Sequence, residues 1–243
     1  MRSVAEFSPA PFEAGVWRAV EAQHVAATML LVDSRDEQQL LERLLDPGKP
    51  AIPAGARALH YLLFTPFRYP PTAHGSRFRA QTDPGVFYAA AEVRTACAEL
   101  GYWRWRFLID SPELESIAPA PQTVFQVMVG GMSIDLRRPP FVRQRKRWTD
   151  PTDYSGCQQL AGRAREALVA VIRYQSVRDP ERGEAVAVLD PEAFAHPDPV
   201  ARETWYLGVT RDRVWWVRDR LHGPDAVFEF SMARWKSPAS PSR

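Results

Sequence analysis

Val169-Ala-Val-Ile-Arg-Tyr174, Ala185-Val-Ala-Val-Leu189, Thr204-Trp-Tyr-Leu-Gly-Val209, Arg213-Val-Trp-Trp-Val217 and Ala226-Val-Phe-Glu-Phe230 are short runs rich in β-branched and aromatic residues. Turn-forming residues separate them, and each is too short for an amphipathic helix, so they read as strands. Immediately upstream, residues 155 to about 168 carry a helical pattern. Thr123–Val129 and Met132–Leu136 flank Gly130-Gly131 and read as a hairpin. Further back, Gly85–Tyr88 is a short strand leading into a helical stretch from about Ala91 to Tyr102, and His60–Phe64 reads as another strand. Short strands interleaved irregularly with helices predict an α+β fold rather than a regularly wound parallel sheet.

The N-terminal quarter has a different texture. From Phe12 to Leu31, apolar residues (Val16, Val20, Val25, Met29) recur at roughly helical spacing, and Ser34 followed by Glu37 fits a capping box opening a second helix. Pro47, Gly48, Pro50 and Pro53 then stop it. The expectation is a helical extension over 1–53, a main domain over 54–236 and a Pro/Ser tail over 237–243.

Composition narrows the classes. The chain has 243 residues, 45% hydrophobic, with a formal charge of only +2, so it buries a sizeable core and any basic function is local. Two cysteines, Cys97 and Cys157, lie in apolar or helical stretches; their spacing announces no disulfide, and Cys157 reads as a small buried hydrophobe rather than a nucleophile. The longest apolar stretch, Val25–Val32, is far shorter than the ~20 residues that span a bilayer, and with no signal-like N-terminus the expected location is the cytoplasm. There is no Gly-x-Gly-x-x-Gly, no P-loop, no His-Glu-x-x-His and no Gly-x-Ser-x-Gly elbow; the five histidines lack metal-ligand spacing, and no metal is expected. Any chemistry falls to Arg, Tyr, Glu and Ser.

Those residues stand in an ordered series. Thr65-Pro-Phe-Arg-Tyr-Pro-Pro-Thr-Ala-His-Gly-Ser-Arg-Phe-Arg-Ala80 presents Arg68-Tyr69 and Arg77-Phe78 around a Pro/Gly turn. Tyr88 ends the next strand, Glu99 lies on the next helix, and Tyr154-Ser-Gly-Cys-Gln158 places Ser155 at a helix N-terminus. This series resembles the RES domain, a family named for its Arg, Glu and Ser, across roughly residues 60–190; Trp17-Arg-Ala-Val-Glu-Ala-Gln-His24 is also similar to longer members. Two departures are Arg79, where many members carry Asn, and Ser76 between Gly75 and Arg77.

The resemblance implies an ADP-ribosyltransferase-like fold with two small β-sheets, and a toxin that consumes NAD by phosphorolysis, hydrolysis or transfer of ADP-ribose to a protein. It also implies an Xre-type antitoxin as partner, with inorganic phosphate as a possible co-substrate. Catalysis would fall to Glu99, Arg68, Tyr88 and Ser155, and NAD binding to Arg68, Tyr69, Arg77, Tyr88 and Ser155.

The residue types suit that chemistry. Guanidinium groups grip a pyrophosphate through charge-assisted, often bidentate hydrogen bonds. A carboxylate stabilises an oxocarbenium-like transition state at the ribose, and nicotinamide leaves neutral, so no general acid is needed. Taken singly, each residue has a plainer reading: a surface ion pair, a packed aromatic, a solvated helix position, an N-cap. Two features invite other functions. Arg143-Gln-Arg-Lys-Arg-Trp148 suggests nucleic-acid binding with Trp148 as a stacking platform, although a solvated loop or a dock for an acidic segment fits the balanced net charge better. Tyr102-Trp-Arg-Trp-Arg-Phe107 reads as a half-buried strand or helix end. No membrane association and no direct nucleic-acid binding are expected.

Overall fold

A computed structural model describes residues 7–22, 34, 36, 37, 40, 44, 48–71, 73–219, 226–232 and 235. The architecture is α+β. Strands β1 (Ala10–Glu21), β2 (Phe87–Ala90), β3 (Ser116–Asp135), β4 (Val171–Gln175), β5 (Glu184–Val188), β6 (Ala201–Thr210), β7 (Arg213–Arg218) and β8 (Val227–Ser231) join in one sheet of order β1-β2-β5-β4-β3-β6-β7-β8. The helices whose bounds lie among the described residues are α1 (Tyr61–Arg68), α2 (Val93–Asp110), the single turn α3 (Arg145–Trp148) and α4 (Ser155–Glu166). Every pairing is antiparallel except β3 with β4.

Strand β3 organises the molecule. Its residues Gln122–Ser133 pair with β1 along one edge, from Glu21 opposite Gln122 to Ala10 opposite Ser133. Its first half pairs with β6 and its last residues, Ser133–Asp135, with β4. Because β1 also touches β2 through Trp17 opposite Ala90, strands β1, β2, β5, β4 and β3 close a circuit, and β6-β7-β8 extend from β3 as a second group. The expectation of two small sheets thus becomes one hydrogen-bonded sheet, continuous because β3 is long enough to serve both groups.

Alternation along the strands builds the core. In β5, Ala185 and Ala187 face Cys157, Leu160, Ala161 and Ala164 of α4, while Val186 and Val188 face Leu62, Leu63 and Phe67 of α1. Both faces of this short strand are therefore covered. A third cluster packs Cys97, Ala98, Trp105 and Leu108 of α2 on Trp205, Leu207, Val214, Trp216 and Phe230. Cys97 and Cys157 are both buried free thiols, Cys157 as expected of a small hydrophobe.

Three expected elements differ. The residues from Phe12 to Glu21 form a strand, not a helix, because every one of them stands in register opposite a residue of β3. Val25 and Met29 lie outside the described residues, as does the tail 237–243. Gly130-Gly131 makes no turn: β1 runs straight past both glycines, with Gly131 (φ +139°) admitting Ala170 Cβ at 3.1 Å from where its own Cβ would stand. His60–Phe64 opens a helix, since His60 Nδ1 accepts the Leu62 N–H at 3.1 Å and Leu63 and Phe67 recur one turn apart on the buried face. The Ser34–Glu37 cap is present, with Ser34 Oγ accepting the Glu37 N–H at 3.2 Å. Among the described residues no helix is long and apolar enough to cross a membrane.

Candidate active site

A cleft of about 270 Å³ opens between β1, β2, α2 and the turn at Gly75–Arg77. Its walls are aromatic (Trp17, Tyr88, Trp103, Tyr154, Tyr174), and its charged groups are Arg18, Arg77 and Glu99. Two cations against one carboxylate make the cleft suited to an anion with flat rings attached.

Arg77 stands on a tight turn. Ser76 and Arg79 exchange backbone hydrogen bonds of 2.8 and 3.1 Å, and Gly75 at φ +66° adopts a left-handed conformation in which a Cβ would strike the Arg79 carbonyl oxygen at 2.1 Å. The turn is held by three side chains from outside it. The Tyr88 hydroxyl accepts the Phe78 N–H at 2.9 Å and shares a hydrogen bond of 2.7 Å with Ser76 Oγ. Gln158 Nε2 donates to the carbonyls of His74, Ser76 and Arg79 at 3.3, 3.1 and 3.4 Å, and Arg165 donates to the Phe78 carbonyl at 3.0 Å. Arg77, only 7% exposed, donates to the Trp148 carbonyl at 3.0 Å and lies 4.6 Å from the Tyr154 ring centroid. Burial opposes its charge, but Tyr174, Cys157, Tyr154 and Glu99 outweigh burial and raise its pKa.

Glu99 is half-buried on α2, one wall of the cleft. Ser176 Oγ donates to its Oε1 at 2.5 Å. Burial pushes its pKa above the ordinary carboxylate range, against the opposing pull of Ser176, Arg178 and Arg77. Ser176 Oγ also accepts the N–H groups of Arg178 and Asp179 at 3.2 and 3.0 Å, so one hydroxyl fixes both the loop and the carboxylate. Asp179 anchors that loop on α2 through Arg94 and through Thr95 Oγ1 at 2.8 Å. Arg178, buried, lies 3.7 Å from the Tyr102 ring centroid and donates to the Tyr154 hydroxyl at 3.1 Å.

Arg18 was not singled out from the sequence. It projects from β1, donates to the Tyr88 carbonyl at 2.8 Å and rests 4.7 Å from the Phe87 ring centroid. Its Nε is buried without a hydrogen-bond partner, no carboxylate pairs with it among the described residues, and burial lowers its pKa to about 10. A buried guanidinium in that condition is poised for an anion. The signal was Trp17-Arg18 within the stretch that resembles longer RES members; the helical reading of that stretch hid where Arg18 points.

The structure therefore brings Arg77, Tyr88 and Glu99 together. Arg68 and Tyr69 line another depression, beside Pro50, Arg79 and Pro191, which shares no residue with the cleft. Arg68 Nε donates to the Pro50 carbonyl at 2.6 Å, and Arg79 donates to the Tyr69 carbonyl at 2.9 Å. Ser155 begins α4 as expected, but its exposed side chain does not line the cleft; its neighbour Tyr154 does. Tyr88 uses its hydroxyl on the turn, which makes it a scaffold for Arg77 as well as a wall. Trp148 is no stacking platform: it is 3% exposed, its indole N–H donates to the Phe141 carbonyl, and its own carbonyl receives Arg77.

No curated protein sequence matches the chain. Among solved structures it is similar to a chain of the M. tuberculosis MbcT–MbcA toxin–antitoxin complex, with 13% identity, a TM-score of 0.45 and coverage of 94% of this chain and 90% of that one. The RES domain matches over residues 52–209, more than half of the sequence. The chain belongs to the RES domain family.

Proposed function

We propose that this protein is an enzyme that cleaves the nicotinamide–ribose bond of NAD, acting as the toxin of a toxin–antitoxin pair. The observation that carries the reading is the convergence of Arg77, Arg18 and Glu99, from three separate segments, on one aromatic-walled cleft. In this reading Arg18 and Arg77 hold the pyrophosphate through charge-assisted hydrogen bonds, and the aromatic walls sandwich the flat rings. Glu99, ionised, lies against the ribose and stabilises positive charge as the glycosidic bond breaks. Nicotinamide departs as a neutral base, and the acceptor enters from the open side: phosphate, water or a protein side chain.

The RES family membership supports the activity, and in this reading the partner is an antitoxin of Xre type. The fold is of ADP-ribosyltransferase type in this account, the two strand groups sharing β3. Arg68, Tyr69 and Ser155 then act at a distance from the reacting atoms: Arg68 and Tyr69 through Arg79, which links them to the Arg77 turn, and Ser155 through the start of α4. The nucleic-acid alternative loses its stacking residue with Trp148 buried. Incubation of the protein with NAD, with and without inorganic phosphate, tests the proposal and identifies the acceptor. Nicotinamide release in either condition supports it. No release in both, together with no ADP-ribosylated protein in a lysate, overturns it.

A further inference from the structure

Among the described residues, Arg94, Arg104, Arg106, Arg137, Arg138, Arg165, Arg173 and Arg218 each meet a carboxylate. One groove, of about 660 Å³, gathers several cations without such partners. Arg145, Lys146, Arg178 and Arg182 line it, against a single carboxylate, Asp179, which Arg94 and Thr95 already occupy. Arg145 reaches only the neutral Gln175 Oε1, at 2.7 Å, and neither Lys146 nor Arg182 pairs with a carboxylate among the described residues. Arg145, Lys146 and Arg182 are exposed. With a net charge of only +2 on the whole chain, these unneutralised cations form a local positive field rather than part of a general one.

We infer that this groove docks an acidic peptide segment of a protein partner. Gln175, with its Oε1 taken by Arg145, turns its side-chain amide toward the same groove. Single-stranded nucleic acid fits less well, because it depends on aromatic platforms for its bases, and Trp148 and Trp235 are 3% and 8% exposed. The groove lies on the loop whose Ser176 holds Glu99, so its occupant would rest against the back of the cleft, not inside it. The inference concerns binding alone and stands whether or not NAD is the substrate.

The test titrates the full chain with a fluorescent oligoglutamate peptide, a single-stranded oligonucleotide of matched charge and inorganic phosphate, at low and physiological salt. The peptide is expected to bind tighter than the oligonucleotide and to weaken with salt. The double variant Lys146→Glu/Arg182→Glu, both positions exposed, is expected to lose at least about tenfold in peptide affinity. Because a charge reversal acts at long range, hydrogen exchange supplies a second readout: the peptide should slow exchange at 145–149 and 175–182 specifically. An oligonucleotide binding as tightly as the peptide, saturation by phosphate alone, unchanged affinity in the double variant, or protection elsewhere would each overturn the inference.

Discussion

Glu99 has its ionisation set mainly by burial, which raises its pKa, and only partly offset by Ser176 and Arg178. A raised carboxylate pKa favours folding while the group is protonated, and that contribution fades as pH rises through the folded-state value. Thermal melts should therefore find Glu99→Gln at least as stable as the parent at neutral pH, with the advantage shrinking in acid. Activity needs the ionised form, so its acid limb should lie above the usual carboxylate range. Gln158 bolts three carbonyls of the Arg77 turn. Replacing it with leucine should cost about 1–3 kcal/mol in denaturant titration and raise KM for NAD more than it lowers kcat, with Gln158→Glu failing to rescue because a carboxylate cannot donate. Arg18 is a desolvated cation without a carboxylate, so Arg18→Met should stay within about 1 kcal/mol of the parent in stability while weakening NAD binding measured by calorimetry. Of these residues, Arg77, Tyr88 and Glu99 were legible because one strand–helix unit carries Tyr88 and Glu99 at fixed separation and the turn before it carries Arg77. Gln158 stood within the Tyr154–Gln158 element, but its hold on the Arg77 turn, like the role of Ser176, depends on contacts between distant segments, which no local pattern announces.

At the scale of elements, legibility followed how much each segment depends on a partner. The strands β4 to β8 and helix α4 carry their own period and were read within two residues at each end, save the start of β6, which lies three residues earlier at Ala201. The segment at 12–21 has apolar positions compatible with either period, and pairing with β3 decided for strand. His60–Phe64, too short to show a period, became helical through its histidine cap and its packing on β5. The match of α2 to β7 offers a direct check. Gly101 lets the helix approach so closely that an added Cβ would lie 2.8 Å from Val214 Cγ1. Gly101→Ala should destabilise by about 1–3 kcal/mol, since overpacking outweighs the gain in helix propensity, as urea unfolding would reveal.

The whole molecule is tied at the far end of β3 by a charge network. Asp135 accepts two side-chain hydrogen bonds from Arg137, at 2.9 and 2.8 Å, and Glu184 binds both Arg137 and Arg173, joining β3, β4 and β5. Burial acts to raise the Asp135 pKa, but Arg137 and Arg173 prevail and hold it below its ordinary value. That contribution is present above the ordinary carboxylate range and disappears as pH falls through the folded-state value. Asp135→Asn should lose about 1–2 kcal/mol at neutral pH, solvent screening included, and nothing in strong acid. The network closes the strand circuit that brings β1, with Arg18, beside β2, with Tyr88. Fold and cleft are in that sense one construction. The most direct test of the account is the rate of nicotinamide release at saturating NAD for the parent protein and for Glu99→Gln. Release by the parent and a fall of about 10²–10³ in the variant are expected; equal rates in the two would contradict the role of Glu99.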